Sequence, residues 1–150
     1  MLSVFPSLSL KLLRQAVVAG VLALIVWEVW ARLITPMLVG GPLEPAALVQ
    51  GVFSLQNSYL AELIHISVGV IFYPLGYIYI ARPIIFLVFN DMGKFWLGLA
   101  YGIGLWVFAL YGMAHLIAGL PAFLDFHPIT WASLVGHVLY ALVLCYMVPE

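Results

Sequence analysis

The sequence predicts an all-α integral membrane protein built as a bundle of four transmembrane helices. Of its 150 residues, 66% are hydrophobic and only 7% are charged, whereas a soluble domain carries about 25% charged residues. So few polar side chains cannot cover a globule of this size, so most of its surface must face lipid. Four apolar stretches are long enough to cross a bilayer. They lie at about 15–34, 59–81, 92–118 and 131–148, within a single membrane domain, 1–150.

Proline and glycine set the predicted ends of the spans. The first span is expected to end at Pro36, and the third at Gly119 with Pro121 close behind. Pro74 lies inside the second span, where it should kink the helix and leave the Val70 carbonyl without its usual partner. Arg82-Pro83 is expected to end that span.

Three shorter segments are predicted to lie along the membrane surface as interfacial helices, because they are too short or too amphipathic to cross it. They are residues 1–14, 45–53 and 84–89. Asn90 and Asp91 follow the last of them and are expected to cap the third span, as residues of these types cap helices.

The basic residues predict the orientation of the bundle. If the N-terminus is cytoplasmic, then Lys11, Arg14, Arg82 and Lys94 all face the cytoplasm, and only Arg32 faces the other side. This distribution follows the positive-inside rule. Both termini are then cytoplasmic, and the loops after the first and third spans lie on the outer side.

Each span carries an ionisable side chain at a similar expected depth. Counted from the outer ends of the spans at 1.5 Å per residue, Glu28 lies about 12 Å deep, His65 and His137 about 9 Å, His115 about 6 Å and Glu62 about 5 Å. An ionisable group within a bilayer costs several kcal/mol unless it is paired. The sequence therefore predicts one polar site of histidines and glutamates, in the outer third of the bundle.

The spacing of the acidic residues supports this site. Glu62 and His65 are three residues apart, so they share one helix face. Helix bundles that bind metals use this Glu-x-x-His spacing to direct two ligands inward. Glu28 and Arg32 are four residues apart and are expected to form an ion pair that lowers the cost of burying both.

Further polar residues are expected to support the histidines. Ser133 and Tyr140 share a helix face with His137 and could orient its ring, as neighbours of ligating histidines commonly do. Arg32 could likewise orient the carboxylates of the site. His127, in the loop before the fourth span, is a further possible participant.

Three ligands suit this set of residues. A single b-type haem could be held by His65 with His137, or by His115 with His137. A transition-metal ion could be bound by imidazoles and a carboxylate. A quinone or another polar-headed lipid could use the same groups as hydrogen-bond partners. Alternatively, the histidines only tie the helices together through hydrogen bonds.

The composition also argues against several functions. The formal net charge of −1 offers no basic surface for nucleic acid. The single cysteine, Cys145, excludes an internal disulfide framework. No nucleophile–base signature or phosphate-binding loop is present, so the chain is not expected to be an enzyme on its own.

These observations favour an accessory or haem- or metal-binding subunit of a respiratory or photosynthetic electron-transfer complex, in a bacterial inner membrane. In architecture, histidines in a small four-span bundle resemble the membrane anchor and cytochrome b subunits of respiratory enzymes. The expected partners are lipid and either other membrane subunits or further copies of this chain. The alternatives are a small cation or metabolite transport component and a purely structural scaffold.

Overall fold

The computed structural model describes residues 6–89 and 92–148, and this part of the chain is helical with no strand. It contains four helices long and apolar enough to cross a membrane, which confirms the predicted fold class. They are Leu10–Val39 (α1), Ser58–Phe89 (α3), Lys94–Ile117 (α4) and Pro128–Met147 (α5). A short helix, Pro45–Phe53 (α2), lies between α1 and α3. The cytoplasmic placement of the two termini stays a prediction.

Two of the predicted helix ends are wrong, because α1 and α3 continue through prolines. In each case, and also at Pro74, a five-residue π-helical turn ends two residues before the proline. Its wider turn lets the helix pass a residue that has no N–H and whose ring would clash with an α-helical carbonyl. The prolines are Pro36, Pro74 and Pro83. The turns are Trp30–Ile34, Val68–Phe72 and Tyr77–Ala81.

Of the three predicted interfacial helices, only the one at 45–53 is a separate helix, and α2 has the predicted bounds. Its placement at the membrane surface stays a prediction. Residues 84–89 are the last turns of α3 and not a separate helix. Residues 10–14 are the first turns of α1, while 1–5 lie outside the described residues. Asn90 and Asp91 also lie outside them, and Gly93 is the N-cap residue of α4.

The central helix of the bundle is α5, and glycines bring its neighbours close. A Cβ atom on Gly98 or Gly102 of α4 would meet Leu142 or Val138 of α5. Gly136 of α5 lies against the ring of Trp27 in α1. The Gly98–Gly102 pair therefore forms a helix contact, as small-residue pairs in membranes commonly do.

A tyrosine of α5 compensates for the break in hydrogen bonding at Pro74. The Tyr73 N–H bonds to the Val68 carbonyl across the π turn, and residue 74 has no N–H, so the Gly69 carbonyl has no donor within its own helix. The Tyr140 hydroxyl donates to it over 2.5 Å. This contact fixes α5 against α3 beside the candidate site.

Candidate functional site

A cavity of about 650 Å³ lies between the helices, on the side of the bundle that α2 covers. Every helix contributes to its lining, and most of the lining side chains are apolar, among them Val52, Phe72, Phe108 and Met113. Its size and apolar walls are those of a site for a small organic ligand. We call it the bundle cavity.

Two of the four long helices are π-helical where they line the bundle cavity. In α3, Val68, Gly69 and Phe72 of the π-helical turn line it, next to Ile64 and His65 of the preceding α-helical turns. Phe108–Ile117, a ten-residue π-helical stretch, contributes its wall from α4. Extra residues of this kind widen a helix, and they occur frequently at functional sites.

His137 presents one ring nitrogen to a backbone carbonyl and leaves the other without a partner. Its side chain is 8% exposed and lines the bundle cavity. Its Nδ1 lies 2.8 Å from the carbonyl oxygen of Ser133, and the Ser133 hydroxyl lies 3.4 Å away. A carbonyl oxygen only accepts, so Nδ1 carries the proton. No described residue hydrogen-bonds to Nε2.

His65 also lines the bundle cavity, and it belongs to a network of charged side chains. Its Nε2 lies 3.1 Å from Oε1 of Glu28. The other carboxylate oxygen of Glu28 accepts from Nε of Arg32, and Nη2 of Arg32 donates to Glu62 over 2.6 Å. The network thus joins α1 to α3, and both carboxylates share one guanidinium.

This charged network forms the wall between the bundle cavity and a shallow groove on the outside of the bundle. The groove encloses about 630 Å³ and is lined by Glu28, Arg32 and Glu62 among others. Exposure falls inward, from 51% for the Arg32 side chain to 15% for His65. His65 is therefore the network's contact with the bundle cavity.

The other two histidines do not line the bundle cavity. Nδ1 of His115 donates to the Leu120 carbonyl over 2.7 Å, and its ring packs beside Tyr111 with centroids 5.3 Å apart. His127 is the N-cap residue of α5. The structure therefore brings His65 and His137 to one cavity and leaves His115 and His127 outside it.

Sequence reasoning missed Trp27, which lies at the centre of this arrangement. Its ring meets that of His137 edge-on, with centroids 4.6 Å apart, and it lines the bundle cavity. Its indole N–H is buried without a hydrogen-bond partner among the described residues, which costs roughly 1–3 kcal/mol. Nothing in the sequence indicated that Trp27 lines a cavity, because a tryptophan near a span end is usually an interface anchor.

A left-handed turn between α4 and α5 closes one end of the bundle cavity. Phe123 to Phe126 have φ between 49° and 54°, and each such residue costs roughly 1–2 kcal/mol. The turn is held by Thr130, whose hydroxyl donates to the Phe123 carbonyl over 2.7 Å, and by Trp106, whose ring lies 4.8 Å from that of Phe123. It places Leu124 in the lining.

The arrangement suits an organic ligand better than a metal centre. Among the described residues, no group of three or more His, Cys, Asp or Glu side chains could hold a metal ion. A haem held by two Nε2 atoms would have to break the bond between His65 and Glu28. The residues of the bundle cavity therefore do not fit a bis-histidine haem as they stand.

No protein-family model, no curated protein and no solved structure matches this chain. The bundle cavity and the side chains that line it are therefore the features that bear on its function.

Proposed function

We propose that this protein binds a quinone-class molecule, an apolar ring compound with hydrogen-bonding oxygen substituents, inside the bundle. We further propose that it does so as a subunit of an energy-converting complex in a bacterial inner membrane. The observation that carries the proposal is the bundle cavity, in which the imidazoles of His65 and His137 lie among mostly apolar side chains.

The shape and chemistry of the bundle cavity support a ligand of this class. About 650 Å³ is enough for a substituted ring and the first part of a tail. Apolar walls stabilise the ring by roughly 25 cal/mol per Å² of buried surface. The few polar groups then fix its orientation, as they do in cofactor sites generally.

The same features count against the transport of a hydrated cation. Apart from Glu44 at the exposed rim, the charged side chains near the bundle cavity are Glu28, Arg32 and Glu62, and the two acids of this group already share one base. The α4 side of the bundle cavity offers only apolar residues such as Leu110 and Met113. An ion crossing this space would lose its hydration without gaining ligands.

Tryptophan fluorescence tests the proposal, because quinones quench indole emission at short range. Titrating the purified protein in detergent with decylubiquinone should give saturable quenching. Most of that quenching should disappear in Trp27→Phe, since Trp27 lines the bundle cavity. Trp30→Phe is the matched control, because the Trp30 indole donates to the Ala132 carbonyl and does not line the bundle cavity.

Two results would contradict the proposal. One is quenching that rises linearly with quinone concentration, as it does for partition into micelles. The other is saturable quenching that persists fully in Trp27→Phe. Either would place the quinone outside the bundle cavity.

A further inference from the structure

The hydrogen-bonding role of His137 is fixed by the helix that carries it. Nδ1 donates to the Ser133 carbonyl within α5, one turn back along the helix. The ring is buried, and no carboxylate in the described part of the chain hydrogen-bonds to it, so these surroundings favour the uncharged form of His137. In that form Nε2 carries a lone pair and no proton, so it can only accept a hydrogen bond.

His65, like His137, uses its one N–H group on an acceptor of the protein, and its partner is a carboxylate. Glu28 is paired with Arg32 and is therefore a carboxylate, which accepts only. Nε2 of His65 must then donate to it, and in the uncharged ring Nδ1 keeps the lone pair. Neither imidazole, when uncharged, offers an N–H group to the bundle cavity.

The remaining polar groups of the lining do not reverse this preference. The Tyr140 hydroxyl donates its hydrogen bond to the Gly69 carbonyl and has no second proton to donate to a ligand. The hydroxyls of Tyr73 and Ser133 can donate or accept, so they do not discriminate. The Trp27 N–H is a donor, but protein atoms cover it. Glu44, at the exposed rim, only accepts when ionised.

From this set of acceptors we infer that the bundle cavity selects the reduced, hydroxyl-bearing form of its ligand, the quinol, over the quinone. The inference rests on the proposed function and names the form of the ligand. A quinol O–H donates to Nε2 of His137, whereas a quinone carbonyl would set its lone pairs against that nitrogen. The dissociation constant of the quinol is expected to be about tenfold lower than that of the quinone. The quinol makes one buried hydrogen bond to Nε2, whereas the quinone leaves this acceptor unpaired.

Calorimetric titration under argon tests the inference with three probes that share one ring and tail. They are decylubiquinol, decylubiquinone and the di-O-methyl ether of the quinol, which has no O–H to donate. The native protein should bind the quinol about tenfold more tightly than either of the other two. In His137→Phe the preference should fall to less than about twofold, because phenylalanine keeps a flat ring without a lone pair.

Two further variants keep the result interpretable. His115→Phe changes a histidine of α4 that lies outside the bundle cavity and should retain the full preference. His137→Gln replaces the acceptor by an amide that both donates and accepts, so it should also lose the preference if His137→Phe does not fold. Equal binding of all three probes by the native protein would overturn the inference and leave the proposed function standing. Absence of saturable binding for every probe would instead contradict the proposed function.

Discussion

Replacing Gly102 by valine is expected to prevent α4 and α5 from packing. A Cβ atom at this position would lie 2.6 Å from Cα of Val138 and 2.9 Å from the carbonyl oxygen of His137. Both are backbone atoms, so no rotation of a side chain can relieve the clash. Overpacking of a well-packed core typically costs about 1–3 kcal/mol, and a contact with backbone belongs at the upper end of that range or beyond it.

Gly104→Val provides the control, because no atom of residues 6–89 or 92–148 outside its own helix turn lies within 4 Å of a Cβ atom at Gly104 on the same helix. The variants should be compared by thermal unfolding in detergent and by gel filtration. Gly102→Val should unfold roughly 10 °C or more below Gly104→Val, or aggregate. Equal midpoints for the two variants would mean that α4 and α5 do not approach as closely as the structure has them.

Replacing Ala109 by tryptophan is expected to weaken ligand binding by nearly a hundredfold while leaving the fold intact. Ala109 lies in the π-helical stretch of α4 and lines the bundle cavity. An indole there would displace about 100 Å² of ligand contact, which at about 25 cal/mol per Å² is worth about 2.5 kcal/mol. That corresponds to a loss of affinity of nearly a hundredfold.

Ala100→Trp adds the same side chain to an exposed position of α4 that does not line the bundle cavity. It should bind decylubiquinone as the native protein does, with an unchanged unfolding midpoint. If Ala109→Trp keeps native affinity, or if Ala100→Trp loses it, the ligand is bound on the surface of the bundle.

Composition and length were sufficient to predict the spans, but the helix ends depended on how prolines are accommodated. Pro36 and Pro83 are usually stop signals, and a sequence does not show that a preceding π turn will carry the helix past them. The positions of the π turns depend on packing partners, such as Tyr140 at the Gly69 carbonyl. Those partners come from other helices and are not visible from the local sequence.

Counting residues along the helices indicated only in part which side chains meet. Glu28, Arg32, Glu62 and His65 were expected in one layer, and they form one network. His115 was expected at a similar depth, but its ring turns to the Leu120 carbonyl. Depth follows from counting residues along a helix, whereas direction depends on the rotation of each helix about its axis, and this rotation is set by packing.

The burial of Trp27 could not be predicted either, because it depends on a residue of another helix. Its position near the end of the first span favours an interfacial anchor, but Gly136 of α5 leaves room for its ring inside the bundle. Gly136 lies more than one hundred positions after Trp27 in the sequence. A contact of this kind becomes apparent only when α1 and α5 are placed together.

Photolabelling with an azido-substituted quinone tests most directly whether the bundle cavity binds a quinone-class ligand. The purified protein would be irradiated at a quinone concentration that saturates Trp27 quenching, and the labelled peptides would be identified by mass spectrometry. The labels should fall on cavity residues that are little exposed, such as Leu110, Met113 and Tyr140, and an excess of unlabelled decylubiquinone should remove them. Labels spread over exposed residues such as Leu87 and Phe89, and insensitive to that competitor, would contradict the account.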